Sequence, residues 1–148
     1  MRVYDFFCAA AGILGSGIAS LFGGWDTALV TLVWFMGIDY VTGLLVAGVF
    51  QKSPKTPGGG LESRAGWKGL IRKGVTLLVV LVATRLDLLV GDRSFIRDAV
   101  VIAFVINETM SIIENLGLMG IRVPKVLTRA IEVLKEKSGE EDGPHDAE

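Results

Sequence analysis

The sequence predicts an all-α integral membrane protein with about four transmembrane helices arranged as two hairpins. Hydrophobic residues make up 51% of the 148 residues, and the mean hydropathy is +0.52. No charged residue lies between Asp5 and Asp26, and none lies between Asp39 and Lys52. A soluble domain of this length intersperses charges with its apolar residues, so that one face of each element is solvated. The apolar blocks therefore indicate a chain that lives in a bilayer.

The first apolar block covers residues 6–24, which are 19 uncharged residues. As a helix it would extend about 28 Å, close to the thickness of the hydrocarbon core. A cleaved signal peptide is the competing interpretation. It is disfavoured because Asp5 accompanies Arg2 before the block, and because a glycine turn leads directly into a second apolar block. We expect a first span here.

Small residues recur every fourth position along this first span. They form two stripes: Gly12, Ser16, Ser20 and Gly24 on one, and Ala11, Gly15, Ala19 and Gly23 on the other. Small residues at this spacing let helix backbones approach closely, which is one way that membrane helices associate. The stripes predict close helix packing, either within one monomer or between subunits.

The second apolar block, residues 27–50, is interrupted only by Asp39. A charge at the centre of a membrane helix costs about 2.5–3.5 kcal/mol on insertion scales, so Asp39 is expected to face protein or water. One interpretation pairs Asp39 with Arg85 and joins the second and third spans. The other places Asp39 on an aqueous path or at a subunit contact. Arg85 and Asp87 are two residues apart and do not face each other on one helix, so each needs another partner.

A basic segment with two prolines and a glycine triplet separates the two halves of the chain. The triplet lacks the preceding strand and following Lys-Ser/Thr pair of a phosphate-binding loop, which favours a flexible loop. Beyond it, three basic residues share one helical stripe next to apolar ones, which predicts an interfacial helix leading into the bilayer. The residues assigned to lipid headgroups and to topology are Arg64, Trp67, Lys68, Arg72 and Lys73.

The third and fourth spans are predicted at about residues 70–90 and 95–119. The fourth carries a single polar stripe consisting of Asn107, Glu108, Ser111, Glu114 and Asn115. In lipid, a polar stripe must face other helices or water. A monomer of four short helices has little room for five polar side chains, whereas several copies around an opening could wet them all. Alternatively, this part is an amphipathic helix at the cytoplasmic boundary.

The C-terminal part changes character after the fourth span. Residues 123–137 show helical spacing of apolar residues beside lysines and arginines, which predicts an amphipathic helix on the membrane surface or in the cytoplasm. Residues 138–148 form an acidic tail, which is expected to be disordered. The basic segments on both sides of the last two spans should stay cytoplasmic, so both termini are expected inside. Two or three spans, with one weak segment in the interface, are the alternative.

Several function classes are disfavoured by the residues present. Cys8 is the only cysteine and His145 the only histidine, which leaves no conventional zinc site and no readable nucleophile–base pair. No cofactor-binding motif is present, so we expect neither an enzyme nor a bound cofactor. The basic loop lies between two hydrophobic spans, which favours contact with anionic lipids over binding of nucleic acid.

Three ordered motifs resemble the toxin-secretion/phage-lysis holin family. They are Asp39-Tyr40-Val41-Thr42-Gly43, then Ser63-Arg64 with Gly66-Trp67-Lys68-Gly69-Leu70 and Arg72-Lys73, and finally Asn107-Glu108, Ser111-Ile112-Ile113-Glu114-Asn115, Gly120 and Pro124. The resemblance runs from about residue 25 to residue 135 and implies one membrane domain over residues 1–137. It also implies homo-oligomers that open a lesion in the bacterial cytoplasmic membrane, which lets an endolysin or a toxin through, without enzymatic activity or cofactor.

Two other functions fit the residues. The first is a small ion channel or transporter, with Asp39 and Arg85 on a selective path. The second is a non-conducting membrane adaptor whose basic loop or C-terminal helix binds a partner.

Overall fold

The chain folds into five helices in the part that the structure, a computed structural model, describes, namely residues 3–91 and 94–138. The helices are α1 (Val3–Leu21), α2 (Thr27–Gly48), α3 (Ser63–Val90), α4 (Phe95–Leu118) and α5 (Lys125–Ser138). No strand occurs in these ranges. The predicted all-α architecture is confirmed.

Helix α4 lies at the centre of the bundle, where it packs against α2, α3 and α5. The core between these helices is apolar and is formed by Leu29, Leu32, Met36, Val80, Val101 and Val105. All six positions are nearly inaccessible to solvent. Since α2 begins next to the start of α4, the core lies toward the end of the bundle that holds the α1–α2 and α3–α4 turns. We call this end the turn end, and the opposite end, with the α2–α3 connection, the loop end.

Three helices, α1, α2 and α4, are long and apolar enough to cross a membrane. Helix α3 is as long but is not among them, because charged residues recur along it from Arg64 to Asp87. The chain is therefore a helical membrane protein with multiple spans. The predicted boundaries of the first, second and fourth spans agree with α1, α2 and α4 to within about three residues at each end.

The interfacial helix and the third span form one continuous helix, α3, which spans 28 residues. Lys73 therefore lies inside a long helix that continues toward the turn end, beyond the basic segment in which the sequence placed it. Helix α3 ends at Val90 and α4 begins at Phe95, so the connection between them is short, and its residues 92 and 93 lie outside the described residues.

The α2–α3 connection is an ordered turn rather than the flexible loop expected from its composition. The Ser53 amide donates to the Gly59 carbonyl oxygen at 2.9 Å, and the Thr56 hydroxyl donates to the Gly60 carbonyl oxygen at 2.9 Å. Gly59 has φ +70°, and a Cβ atom there would lie 2.2 Å from the Gln51 carbonyl oxygen. Only glycine fits this position without moving the backbone.

Helices α1 and α5 differ in how they join the bundle. Ala19 is the only buried residue of α1, and nothing lies within 4 Å of a Cβ atom built at Gly12 or Gly15. The predicted amphipathic C-terminal helix is present as α5, which packs on α4 through the buried Ile131, and Leu134 contacts the core. The acidic tail from residue 139 onward lies outside the described residues.

Candidate functional site

A cluster of charged side chains connects α2, α3 and α4 on the loop side of the apolar core. The Lys73 ammonium on α3 donates to Asp39 Oδ2 on α2 at 2.8 Å and to Glu108 Oε2 on α4. The exposed fraction of the Lys73 side chain is 14%, and that of each carboxylate is 9%. One cation thus bridges carboxylates from two other helices at a single level of the bundle.

Asn115 adds a second set of contacts between α4 and α2. Its side-chain amide donates to Asp39 Oδ1 at 3.1 Å and to Thr42 Oγ1 at 2.9 Å. Asn115 lies about two turns after Glu108, so both residues point from one face of α4. Among the described residues, every buried side-chain nitrogen or oxygen atom has a hydrogen-bond partner. The cluster, which we define as Asp39, Thr42, Lys73, Glu108 and Asn115, is therefore fully satisfied.

The charges of this cluster do not balance, because two carboxylates face one ammonium. Taking an ion out of water costs several kcal/mol, and only close opposite charges and hydrogen bonds offset that cost. Loss of Lys73 would leave two neighbouring buried carboxylates without a directly bonded cation, with Lys55 and Arg72 of the adjacent cavity as the remaining basic residues beside them. Loss of Glu108 would instead leave a matched pair. Loss of the Lys73 ammonium is therefore expected to destabilise the cluster more than loss of the Glu108 carboxylate.

A cavity of about 140 Å³ lies next to the cluster, between α2, α3, α4 and the α2–α3 connection. Asp39, Lys73 and Glu108 line it together with Lys55 and Arg72. Its volume and polar lining suit several water molecules. In the opposite direction the chain becomes apolar within about 10 Å, since Leu32 and Val101 precede Asp39 and Glu108 by seven residues. The bundle thus has a polar loop end and an apolar layer beyond it.

Arg97 organises a second charged network, at the turn end. Its guanidinium donates to Asp26 Oδ2 at 2.6 Å and to the Phe22 carbonyl oxygen at 2.7 Å. It also donates to Asp98 Oδ1 at 3.0 Å. Arg97 is 2% exposed, so these contacts compensate the burial of its charge. They attach the α1–α2 turn to the first turn of α4.

Two carboxylates at the turn end cap helices. Asp26 accepts a hydrogen bond from the Leu29 amide at 2.9 Å and begins α2, and its hydrogen bond with Arg97 holds the pKa of the Asp26 carboxyl below its usual value. Asp87, at the end of α3, accepts hydrogen bonds from the amides of Ile96 and Arg97 at 2.9 and 2.8 Å. Asp87 therefore caps the start of α4 from a neighbouring helix.

The structure corrects the pairing of Asp39 with Arg85. Asp39 binds Lys73, whereas Arg85 is exposed on α3, three turns from the cluster. Lys73 is likewise turned inward, away from Arg64, Trp67, Lys68 and Arg72, all of which are exposed. The separation arises because α3 turns Lys73 inward, while the rest of the basic stripe faces outward.

The polar stripe of the fourth span is divided by the fold. Glu108 and Asn115 are buried in the cluster and Ser111 is half-buried at the cavity, whereas Asn107 and Glu114 are exposed. The expectation that a monomer lacks room for the stripe is wrong for these inward residues, because Asp39, Thr42 and Lys73 receive them.

Most of the predicted packing residues of the first span have no partner helix. Gly12, Ser16 and Ser20 are exposed, Gly15 is half-buried, and Ala19 is buried. Gly23 lies beyond the end of α1 in the turn, where its φ is +79°, and a Cβ atom there would lie 3.7 Å from Arg97. Gly23 therefore gives the turn its shape and belongs to no helical stripe.

Sequence reasoning missed the Arg97 network. Arg97 and Asp98 stand at the start of the fourth apolar block, and Asp26 stands at the start of the second. Charges at the ends of two spans that meet at the same membrane face were the available signal. The partner Thr42 carried no signal of its own, because a single threonine in an apolar helix is common.

A model of the bacteriophage holin family matches residues 16–136, which include both charged networks. The chain belongs to the bacteriophage holin family. Members of this family are, in general, non-enzymatic membrane proteins that oligomerise. The resemblance found from the motifs is thereby confirmed.

The relatives of this holin family member come from bacteria and from a phage. An uncharacterized protein of Listeria monocytogenes is 39% identical over 137 residues, which cover 91% of this chain and 92% of the relative. A Clostridium perfringens protein is 34% identical over 134 residues, covering 88% and 93%. A protein named probable holin from Bacillus phage phi105 is 34% identical over 98 residues, covering 66% and 67%. No solved structure matches the chain.

Proposed function

We propose that this holin family member is a pore former of the bacterial cytoplasmic membrane. Its subunits accumulate in the bilayer, assemble into homo-oligomers and open a lesion through which an endolysin or a secreted toxin reaches the cell wall. The observation that carries the proposal is the inward polar face of α4, where Glu108 and Asn115 are hydrogen-bonded within a helix that is long and apolar enough to cross a membrane. Such a face tolerates lipid while it is closed and can be hydrated when it lines an opening.

The proposed topology has four crossings, with both termini in the cytoplasm. Helix α3 is the third crossing, because the outside of its second half is apolar except for Arg85, and its charges Lys73 and Asp87 are hydrogen-bonded inward. The basic α2–α3 connection and the basic α5 then share the cytoplasmic side, as the distribution of lysine and arginine requires. The domain comprises residues 1–137.

Two surfaces of the subunit are proposed to contact other subunits. Helix α1 presents its small residues outward, and α4 presents Glu114 outward, whereas the exposed Asn107 lines the cavity. Small faces permit close approach between helices, and polar side chains in lipid gain from partners across an interface. In the assembled state Asp39, Glu108, Ser111 and Asn115 would line or border the opening. Arg85 and Asp87 would lie near its outer end.

The membrane surface is the third proposed contact. The exposed Arg64, Lys68 and Arg72 follow one stripe of α3, and Trp67 is 63% exposed beside them. Basic residues attract anionic headgroups, and tryptophan favours the interfacial region. We assign these residues to lipid headgroups, and we propose no enzymatic step, no cofactor and no nucleic-acid partner.

Induced expression in a bacterium tests this function. With a muralytic enzyme present in the cytoplasm, the proposal expects loss of membrane potential followed by lysis of the culture. Expression without the enzyme should abolish the potential but leave cell walls intact. An unchanged potential, at confirmed accumulation in the membrane, contradicts the proposal.

A small ion channel is the second candidate, and the charged cluster beside the cavity is the observation that favours it. In that case potential would be lost, but the muralytic enzyme would stay inside and the culture would not lyse. A non-conducting adaptor would change neither quantity. The same cultures therefore distinguish the three functions.

A further inference from the structure

Within residues 3–91 and 94–138, Lys73 is the only cation bonded to the two carboxylates buried in the cluster. We propose that Lys73 is the positioning residue that keeps the polar face of α4 turned inward, and that the subunit opens when the Lys73 bridge is broken. This inference rests on the proposed pore-forming function, because the open state is the one in which that face lines the opening.

The inward face of α4 moves as one unit. Val101, Val105, Glu108 and Asn115 are spaced by four, three and seven residues, so they share one side of the helix. The two valines lie in the apolar core, and the two polar residues lie in the cluster. Any rotation that brings Glu108 to water therefore also brings Val105 out of the core. The exposure of Val105 to water therefore indicates whether this face of α4 is turned inward or outward.

The contacts of the cluster oppose that rotation. Lys73 belongs to α3 and Asp39 belongs to α2, so α4 cannot turn without losing the bonds from Glu108 to Lys73 and from Asn115 to Asp39. When the ammonium is absent, the inward state contains two carboxylates with no directly bonded cation, since Lys55 and Arg72 only line the cavity beside them, and such carboxylates favour hydration. Loss of the ammonium destabilises the outward state much less, because water solvates Glu108 there. Lys73→Met is therefore expected to shift subunits toward the outward state.

Removing one carboxylate has the opposite effect. Glu108→Gln leaves Lys73 and Asp39 as a matched pair, so that the inward state no longer contains excess charge. It also removes the carboxylate that gains most from water in the outward state. The two substitutions thus give shifts of opposite sign, although each removes one charge from the same cluster.

The experiment uses the full chain in lipid vesicles with Cys8→Ser and Val105→Cys as the parent. Val105 is 7% exposed, so a membrane-impermeant thiol reagent should label the parent slowly. Lys73→Met should raise the labelling rate at least about tenfold, since breaking a buried pair shifts equilibria by more than that. Glu108→Gln should lower the rate below that of the parent. Lys52→Met and Glu132→Gln, which remove exposed charges outside the cluster, should leave the rate unchanged.

A triple variant separates charge imbalance from lost packing. Lys73→Met with Asp39→Asn and Glu108→Gln has no charge in the cluster, so the proposal expects its labelling rate to return toward that of the parent. A rate that stays as high as that of Lys73→Met would show a merely structural role and overturn the proposal. Equal rates for Lys73→Met and Lys52→Met would also overturn it.

Poor accumulation of Lys73→Met and absence of dye release also have defined consequences for the proposal. If Lys73→Met does not accumulate, Glu108→Gln decides: a lowered rate supports the proposal, and an unchanged or raised rate overturns it. Release of a dye from the same vesicles is recorded in parallel. Absence of release from every variant contradicts the proposed pore, while the labelling rates still decide the role of Lys73.

Discussion

Lys73 shows what a sequence can and cannot say about one residue. It closes a run of basic residues that lead into an apolar block, and this context indicates a headgroup contact. Its actual partners, Asp39 and Glu108, are 34 and 35 residues away in sequence. Which of two neighbouring cations, Arg72 or Lys73, turns inward depends on the rotation of α3 about its axis. That rotation follows from packing between helices, which no local pattern determines.

Arg97 supports a prediction about stability. Arg97→Gln should lower the free energy of unfolding by about 2–3 kcal/mol, because bonds to a charged donor are lost and the Phe22 carbonyl oxygen loses its donor. Arg85→Gln is the matched control. Arg85 is exposed and makes no ion pair among the described residues, so its substitution should change the free energy by less than about 0.5 kcal/mol. Unfolding of the detergent-solubilised protein measures both, and equal effects would contradict the role of Arg97.

Asp26 gives this network a pH dependence. The hydrogen bond with Arg97 holds the pKa of Asp26 below its value in the unfolded chain. A carboxyl with a lowered pKa contributes stability that is fully present above its unfolded pKa, about 3.9, and is lost as the pH falls further. We therefore expect the unfolding temperature to decrease when the pH is lowered below about 4. The fall should be smaller in Asp26→Asn, and an identical pH profile in both proteins would exclude this contribution.

At the scale of elements, the sequence predicts the helices well but not the ordered connection between α2 and α3. Apolar blocks and their charged ends determine the limits of α1, α2 and α4, because the bilayer sets the length of a span. The α2–α3 connection has the composition of a flexible loop, yet hydrogen bonds between Ser53, Thr56 and the glycine segment order it. Such bonds depend on backbone geometry that composition does not reveal.

Substitution of Gly59 tests whether the α2–α3 connection is ordered. Gly59→Ala should lower the free energy of unfolding by at least about 1 kcal/mol, because of the positive φ and the backbone contact with Gln51. Gly58→Ala is the control, since a Cβ atom there would meet nothing within 4 Å. Thermal unfolding in detergent compares the two. Equal stabilities would mean that the turn does not persist.

Substitutions on the small-residue face of α1 test the proposed assembly of subunits. Gly12→Leu should leave the monomer folded, since Gly12 is exposed and a Cβ atom there meets nothing within 4 Å, but should reduce chemically cross-linked oligomers severalfold by blocking close approach. Gly17→Leu adds the same side chain on the opposite side of α1, outside both small stripes, and should leave cross-linking intact. Equal loss in both variants, or no loss in either, would exclude the small-residue face as an interface.

At the scale of the whole molecule, the layering of the bundle into a charged cluster, an apolar core and a second charged network at the turn end is not predictable from single helices. The spacing of its polar residues predicts the polar stripe of α4, and it also predicts that the stripe is shielded from lipid. The sequence did not show that Asp39, Thr42 and Lys73 hide part of it within one subunit. That arrangement brings together residues from three helices, and under the proposed function it is the closed state of the subunit.

The passage of a folded protein across a bilayer tests the central claim most directly. Vesicles containing this protein would enclose both a small dye and a folded enzyme. A lesion of the proposed kind releases both, and Lys73→Met releases them sooner at equal protein content than Lys52→Met does. Release of the dye alone, with the enzyme retained at every protein density, would contradict the proposed pore and favour a small ion channel.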